Sequence, residues 1–410
     1  MTEKISKLEK YADLLVDVGL NVQEGGRVFI RSAQDALPLI RLVTEKAYEK
    51  GAKEVKVSLT DDALTKLHAK HQEKEELATI HQWMIDERMH YSDEKAGFLS
   101  ITSSSPELLK DIDPEKLKAM QIASGKAFKD FSNRIQSDYH SWCVAGYPSR
   151  DWARLVFPDE SDDDAVEALL DLILYTVRAD QDDPVAAWQQ HDALLHEKVD
   201  YLNDKKYNAL RYEAPGTDLT IGLPKGHLWA GASSENEDGE TFMANMPTEE
   251  VFSVPEKTRV DGYVSNTLPL SYGGNLIDDF KLTFKDGKVV DFEAGKGYEV
   301  LKNLLDTDEG SRYLGEVALV PDDSPISNTG RLFYNTLFDE NASCHIALGG
   351  AYAFCIEGGK NMSREELEAA GLNDSISHVD FMIGSDALNI YGITEDGKEE
   401  KVFEKGNWAF

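Results

Sequence analysis

A strand, a helix and a second strand follow one another near the N-terminus, and this order constrains the fold more than any other feature. The runs 27–31 and 55–59 have the β-branched and apolar composition of strands. Between them, Leu37, Ile40 and Val43 recur at helical spacing. Strands joined through a helix in this way lie parallel in one sheet. We therefore predict an N-terminal α/β domain with an open, mostly parallel sheet.

Two later segments, 98–102 and 142–146, repeat the strand pattern and should extend this sheet. The first is followed by Ser105-Pro106-Glu107, which combines a capping serine with a proline at the first helical position. We expect a helix to begin there.

The pattern changes beyond about residue 205, where short strands and tight turns replace the alternation of strand and helix. Asp286-Gly287 joins the apolar runs 280–284 and 289–292, and this dipeptide is a strong hairpin signal. We predict a mixed α+β domain here. Because 410 residues exceed the usual size of a single core, we place two domains at residues 1–200 and 201–410.

The acidic composition narrows the classes of partner. A formal net charge of −32 repels phosphate backbones, whereas it attracts metal cations or the ammonium group of a peptide. No apolar stretch approaches the ~20 residues of a membrane span, and the N-terminus has no secretory pattern. Three cysteines without paired spacing suit a reducing compartment. We expect a cytoplasmic protein that binds neither nucleic acid nor membrane.

Two predicted strands of the C-terminal domain carry groups that bind metals. The run 378–384 reads as a strand, so His378 and Asp380, two residues apart, should share one face. The run 314–320 is a second strand with one carboxylate, Glu316, among apolar neighbours. A buried glutamate without a partner costs several kcal/mol, so Glu316 requires a cation nearby.

A third candidate is His345, which lies in the segment 338–352. Asp339 or Asn341 can cap a helix that carries His345. Tyr352 would then return to the same helix face two turns later. The sequence predicts that this helix presents His345 to the site.

These groups, together with Glu250 from the pair Glu249-Glu250, form one candidate set: Glu250, Glu316, His345, His378 and Asp380. Three carboxylates and two imidazoles supply too many oxygens for one tetrahedral zinc, and they suit two bridged ions instead. On spacing alone, a second interpretation stays open. In it, His345 is a core histidine and Glu316 pairs with a lysine or arginine.

Several long motifs then resemble one family, the thermophilic-type metallo-aminopeptidases of the aminopeptidase T, aminopeptidase S and PepS group. The resemblance is specific from about residue 205 to the end and looser before it. The motifs are Met246-Pro-Thr-Glu-Glu-Val-Phe252, Leu304-Leu-Asp-Thr-Asp-Glu-Gly310, Leu314-Gly-Glu-Val-Ala-Leu-Val-Pro321, Thr336-Leu-Phe-Asp-Glu-Asn-Ala342 and His378-Val-Asp-Phe-Met-Ile-Gly-Ser385.

The resemblance implies two divalent ions per chain, Zn²⁺ first and Co²⁺ second, held by those same five residues. It also implies a homodimer, a two-domain fold whose C-terminal mixed α+β domain carries the metal site, and an active-site tyrosine at Tyr352. The reaction expected from it is hydrolysis of the first residue from peptides with a free N-terminus, by a water molecule that two metal ions activate.

Roles within this site follow from the residue types. Glu316 and Asp380 are expected to bridge the ions, because carboxylates bridge and neutral imidazoles do not. Tyr352 would hydrogen-bond the tetrahedral intermediate or simply pack, and Glu249 is a candidate proton shuttle to the leaving amine. His191 is expected at the surface.

Two other classes of function fit part of this residue set. A mononuclear non-haem iron oxygenase needs only two histidines and Asp380, so it leaves Glu250 and Glu316 without a role. An acidic, metal-dependent binding or scaffold protein would bind the ions but release no amino acid from any peptide. A panel of peptide substrates separates this class from a peptidase.

Overall fold

The computed structural model describes residues 2–105, 107–273 and 275–410. Its α-helices are α1 Thr2–Leu14, α2 Leu37–Glu49, α3 Asp62–His71, α4 Lys74–Leu77, α5 Gln82–Asp93, α6 Pro114–Ala127, α7 Lys129–Gln136, α8 Arg150–Val156, α9 Asp162–Thr176, α10 Pro184–Lys205, α11 Tyr298–Leu305, α12 Thr336–Asp339 and α13 Arg364–Ala369. Its strands are β1 Arg27–Ala33, β2 Glu54–Thr60, β3 Gly97–Thr102, β4 Trp142–Gly146, β5 Ala209–Ala214, β6 Thr217–Gly222, β7 Ala230–Gly231, β8 Ser234–Glu235, β9 Thr241–Phe242, β10 Asn245–Met246, β11 Val251–Ser253, β12 Val260–Ser265, β13 Leu270–Tyr272, β14 Asn275–Lys285, β15 Lys288–Lys296, β16 Leu314–Leu319, β17 His345–Gly349, β18 His378–Met382, β19 Asn389–Ile393, β20 Glu399–Glu404 and β21 Asn407–Trp408.

The chain divides into two compact units. The first comprises Met1–Gln190 with Ser233–Pro247, and the second comprises His191–Ala232 with Thr248–Phe410. The division of the polypeptide into domains 1–200 and 201–410 stays a prediction. No helix within the described ranges combines the length and apolar character that a bilayer span requires.

The first unit contains a parallel sheet with the strand order β10-β4-β3-β1-β2. The predicted strands therefore pair as expected. On α2 the predicted periodicity is also present, since Leu39, Ile40, Val43 and Ala47 are its buried residues. This face packs the helix against the core, which confirms the α/β part of the predicted fold class.

The helix predicted to begin at Ser105 begins later. Residues 107–112 form turns, and α6 begins at Pro114, where the Asp113 side chain accepts a hydrogen bond from the Glu115 backbone N–H at 2.9 Å. The same pattern, a capping residue followed by a proline, occurs twice, at Ser105-Pro106 and at Asp113-Pro114. The helix begins at the second of them. Pro106, part of the predicted start, lies outside the described residues.

The second unit is built from two antiparallel sheets, which agrees with the predicted change of architecture. The larger has nine strands in the order β13-β14-β12-β6-β5-β19-β20-β21, with β15 paired to β14. At the predicted turn between β14 and β15, Asp286 and Gly287 both have positive φ, 49° and 83°. A Cβ on Gly287 would lie 1.8 Å from the Lys257 carbonyl oxygen, so only glycine fits.

The smaller sheet has the order β18-β17-β16-β11-β7. One of its faces carries Ile346, Leu348 and Phe381, which are buried in the same apolar core as residues of the larger sheet. The Phe381 ring lies 5.3 Å from the Phe280 ring of β14. Because alternate residues of a strand point to opposite faces, the other face of β17 and β18 carries His345, His378 and Asp380.

Candidate metal centre

The pairing of three strands brings four predicted ligands onto one face of the smaller sheet. Ala347 on the central strand β17 lies opposite Glu316 on one side and opposite Asp380 on the other. His345 precedes Ala347 by two residues and therefore shares its face. His378 lies opposite Gly349 on the same face. This register places the four groups around a central strand.

The central strand has small side chains where the ligands converge. Ala347 separates Glu316 from Asp380, and Gly349 has no side chain beside His378. Gly349 has φ +120°, and a Cβ there would lie 2.0 Å from the Ser377 carbonyl oxygen. Gly349 is therefore required by the close approach of the Ser377 backbone, and the small side chain of Ala347 limits crowding between Glu316 and Asp380.

A change of register directs Glu316 to this face. Leu314 pairs with Leu348, whereas Glu316 pairs with Ala347, so one extra residue of β16 lies between these pairs. Leu314 therefore packs in the apolar core while Glu316, two residues later, points to the opposite face. A bulge-free strand would place both side chains on one face.

The adjacent glutamates before β11 point in opposite directions. The Glu250 carboxylate lies 3.2 Å from His345 Nε2, with Oε2 as the nearer oxygen. The Glu249 carboxylate instead lies 3.4 Å from His191 Nε2, and its backbone N–H donates to Asn341 Oδ1 at 2.8 Å. Neighbouring residues of an extended chain diverge in this way, and Glu250 is the one that joins the other ligands.

The five side chains form two groups that share Glu316. Glu250, Glu316 and His345 make one group, and Glu316, His378 and Asp380 make the other, with ligand atoms of each group within 4.8 Å of one another. The His378 Nε2 atom is 3.1 Å from Glu316 Oε2 and 3.5 Å from Asp380 Oδ1. We call the five residues the carboxylate–histidine cluster.

Backbone carbonyl groups orient both imidazoles. His345 Nδ1 lies 3.1 Å from the Ser343 carbonyl oxygen, and His378 Nδ1 lies 2.7 Å from the Gly350 carbonyl oxygen. A carbonyl oxygen only accepts, so each Nδ1 carries the hydrogen. In the neutral ring, the lone pair of each Nε2 therefore faces the carboxylates, as in metal-binding histidines.

The cluster is strongly anionic and buried, and both properties shift the pKa values of its side chains. Burial and the neighbouring carboxylates raise the pKa of Glu316 to about 7, against the hydrogen bond from His378. Burial favours neutral imidazoles, but the carboxylates outweigh it and raise the pKa of His345 to about 10 and that of His378 to about 11. These histidines hold protons where cations would otherwise neutralise the carboxylates.

A layer behind the cluster fixes the segment that leads into His378. Asp308 accepts hydrogen bonds from Ser311 N, Ser375 Oγ and Ile376 N, each at 2.8 Å. These bonds lower the pKa of the Asp308 carboxyl, although its partial burial acts in the opposite direction. Asn373 adds a bond from Nδ2 to the Gly349 carbonyl oxygen at 2.7 Å.

The helix predicted for His345 is wrong. His345 begins β17, a strand buried along its length and paired on both sides, and only the short helical turns of α12 and 340–342 precede it. Short apolar runs such as 344–348 suit a buried strand as well as a helix, and the pairing partners decide. Tyr352 is therefore not on a shared helix face, but its ring lies 4.8 Å from the His378 ring.

Tyr352 faces the cluster as a protonated phenol. Burial first, and then Glu316, Asp380 and Glu340, raise its pKa well above the ordinary value. A phenol that keeps its proton can donate a hydrogen bond. The geometry is compatible with the predicted role, although the contact with His378 also packs the ring.

Sequence reasoning missed Glu340. Burial raises the pKa of its carboxyl well above the ordinary range, and Glu250, Asp380 and Glu316 of the cluster add to the effect, while His345 opposes it. Glu340 follows α12 and occupies the position after Asp339, which was treated only as a helix cap. A second acid next to a candidate cap, five residues before a candidate ligand, was the available signal.

His191, expected at the surface, is not there. Its side chain is 9% exposed, and Nε2 lies 2.8 Å from the Thr248 carbonyl oxygen as well as near Glu249. The interpretation was wrong because helix periodicity shows which residues share a face of α10. It does not show that the segment with Thr248 and Glu249 covers His191.

Comparison with known proteins identifies the relatives. The model of the thermophilic metalloprotease (M29) family matches residues 4–408. Aminopeptidase AmpS of Bacillus subtilis (strain 168) is 55% identical over 404 residues, and aminopeptidase 2 of Geobacillus stearothermophilus is 48% identical over 404 residues, each covering 98% of both chains. The structure of wild-type AmpT from Thermus thermophilus aligns with a TM-score of 0.93 at 40% identity, over 98% of this chain and 99% of that one. The chain belongs to the thermophilic metalloprotease (M29) family.

Proposed function

We propose that the chain is a metallo-aminopeptidase that removes the first residue from peptides with a free N-terminus. Its M29 membership and its aminopeptidase relatives support an exopeptidase. The observation that carries the proposal is the pair of ligand groups that share Glu316. We assign Glu250, Glu316, His345, His378 and Asp380 as ligands of two divalent ions.

The donor set suits such ions. Carboxylate oxygens and Nε2 atoms of carbonyl-bonded imidazoles are the ligands that Zn²⁺ takes in catalytic sites, and Co²⁺ accepts the same set. Asp380 Oδ1 is buried, and no described donor makes a hydrogen bond of normal geometry to it. When bound, two such ions supply an activated water nucleophile and polarise the scissile carbonyl.

The protein's own groups then have separate tasks. Glu316, which belongs to both groups of ligands, fixes the geometry between them, and Asp380 completes the group that contains His378. The Tyr352 phenol donates a hydrogen bond to the substrate carbonyl oxygen as negative charge develops there. The formal net charge of −32 on the chain attracts the α-ammonium group of the peptide, which favours substrates with a free N-terminus.

Two carboxyl groups are candidates to carry the proton to the leaving amine. Glu249 was the candidate from the sequence, and its role stays a prediction, because its carboxylate lies beside His191. Glu340 is a second candidate, since burial favours the protonated form of its carboxyl. A general acid must hold a proton before it donates one.

We propose that residues 201–410 form the catalytic domain, that two chains form a homodimer, and that the protein works in the cytoplasm. The three cysteines are free and buried, which suits a reducing compartment.

Metal removal tests the function. We expect extensive chelation to abolish release of leucine from an unblocked leucyl peptide, and Zn²⁺ or Co²⁺ to restore it. The matched control is the same peptide with an acetylated N-terminus, which should resist cleavage throughout. Full activity of protein shown to be metal-free rules out the proposal. Metal binding without cleavage of any peptide in a panel would favour the scaffold alternative.

A further inference from the structure

A cavity of about 210 Å³ lies in the first unit, between one face of the parallel sheet and helices α5 and α7. The register of the sheet arranges its floor in two rows. Phe29, Phe98 and Trp142 lie side by side in one row, and Arg31, Ser100 and Val144 lie side by side in the next. Phe131 and Arg88 close it from the helices. We call it the arginine cavity.

Within the described residues, no carboxylate pairs with the two arginines, of which Arg31 is exposed and Arg88 is half-buried. Among the residues that the structure describes, neither Arg31 nor Arg88 has an acidic oxygen within 4.0 Å, in a chain with 75 acidic residues. Two nearby arginines do pair with carboxylates. Arg27 Nη1 lies 3.2 Å from Glu54 Oε2, and Arg134 Nη1 lies 2.7 Å from Asp93 Oδ1.

Aromatic rings hold Arg88 in place. Its guanidinium carbon lies 4.2 Å from the Phe128 ring centre and 5.3 Å from that of Phe131. Burial, and then the charge of Arg31, lower the pKa of Arg88 to about 10, against the weaker effect of Glu87, whose carboxylate pairs with Lys56 at 2.7 Å. Arg88 therefore stays charged at neutral pH, and it lines the cavity together with the guanidinium group of Arg31.

An anion with an apolar group complements both the arginines and the apolar side chains that line this cavity. A carboxylate accepts paired hydrogen bonds from guanidinium groups, and an aromatic ring packs on the phenylalanines and Trp142. An ammonium group would meet two like charges, which disfavours free amino acids. The volume lies below the usual range for drug-sized ligands and so limits the ligand to a small molecule or a single residue.

We propose that the arginine cavity binds a carboxylate attached to an aromatic or branched apolar group and carrying no positive charge. Two sources share this chemistry: a free organic acid, and the C-terminal residue of a peptide. Binding would order Arg31 and Arg88 on one anion.

Isothermal titration calorimetry of the full-length, chelated protein tests the proposal, because chelation removes carboxylate binding to metal. The probes are 3-phenylpropanoate, its uncharged amide, N-acetylphenylalanine and phenylalanine. We expect the two carboxylates without an ammonium to bind at least about tenfold more tightly than the amide or phenylalanine. Tighter binding of N-acetylphenylalanine indicates a peptide C-terminus, and tighter binding of 3-phenylpropanoate indicates a free acid.

Variants locate the binding. Arg88→Gln and Arg31→Gln should each lower the affinity for the two carboxylates by about tenfold or more and leave the affinity for the amide unchanged. Arg88→Lys should retain part of the affinity for the carboxylates. Arg134→Gln is the matched control, because Arg134 already pairs with Asp93 and does not line the cavity. Circular dichroism confirms that each variant is folded. Equal binding of acid and amide, no binding at millimolar concentration, or unchanged affinity in folded Arg88→Gln overturns the proposal.

Discussion

Two buried histidines, one in each unit, have opposite electrostatic surroundings. His140 of the first unit and His345 of the second are each 1% exposed. The His140 ring packs against the Phe98 ring, 4.6 Å away and tilted by 32°, and its Nε2 lies 3.1 Å from Ser92 Oγ. Burial lowers the pKa of His140 to about 4. His345 is just as buried, but Glu250 and its neighbours raise its pKa to about 10.

The difference shows that burial alone does not make a histidine a functional group. Desolvation favours the neutral ring in both places, and the carboxylates near His345 reverse its effect. Three acidic side chains on an otherwise apolar sheet destabilise the fold unless cations or protons compensate them. In the second unit, this destabilisation is confined to the carboxylate–histidine cluster. The region around His140 has no comparable cluster among its described residues.

The largest expected effect comes from removing the charge that both ligand groups share. Glu316→Gln keeps the size of the side chain and loses its negative charge. We expect both ions to be lost, with peptidase activity reduced more than about 100-fold, beyond the range for loss of an outer-shell partner. Metal analysis of dialysed protein and a leucyl-peptide assay measure the two losses.

Exposed Glu293 provides the control, since Glu293→Gln removes the same charge from the same unit. It should leave metal content and activity unchanged. Retention of two ions per chain in folded Glu316→Gln would contradict a shared ligand.

The next largest effect concerns Tyr352. Tyr352→Phe keeps the ring beside His378 and removes only the hydroxyl. We expect kcat to fall about 100-fold, as for loss of one donor to a developing oxyanion, with both ions retained. Steady-state kinetics with metal analysis provide the measurement. An unchanged kcat would leave Tyr352 with packing alone.

A smaller effect tests the space between the ligands. Ala347→Val adds two methyl groups between Glu316 and Asp380 and suits a strand. We expect metal affinity to fall about tenfold with little change in the melting temperature, a magnitude typical of a disturbed ligand environment. Ile346→Val on the opposite face is the control. It should cost about 1 kcal/mol of stability and no metal. Equal metal affinity in both variants would place the ions elsewhere.

Local patterns explain which parts of the site could be predicted. The parallel sheet followed from apolar runs separated by helical spacing, and the shared face of His378 and Asp380 followed from the two-residue period of a strand. These features depend only on neighbours in the chain. The family resemblance supplied the set of five ligands, which spacing alone left open.

The parts that could not be predicted depend on contacts between distant residues. His345 lies on a strand because β16 and β18 pair with it, and no short-range signal distinguishes that from a helix. The bulge that turns Glu316 away from Leu314 depends on the same pairing. Glu340 could be recognised only from the fold, in which Glu250 and Asp380 are close enough to raise the pKa of its carboxyl.

The smallest expected effect concerns His140 and the pH dependence of the free energy of unfolding. The pKa of His140 is lowered on folding, so between about pH 4 and the ordinary value near 6.5 the unfolded chain binds a proton that the folded chain does not. Stability therefore falls as the pH is lowered through this window, by about 1–3 kcal/mol from this group. His140→Gln should lack that part of the acid dependence and keep peptidase activity at neutral pH. Urea unfolding at several pH values compares the slopes, and exposed His196→Gln is the control. Identical slopes in wild type and His140→Gln would mean that buried His140 already takes up a proton, and the contrast with His345 would then be lost.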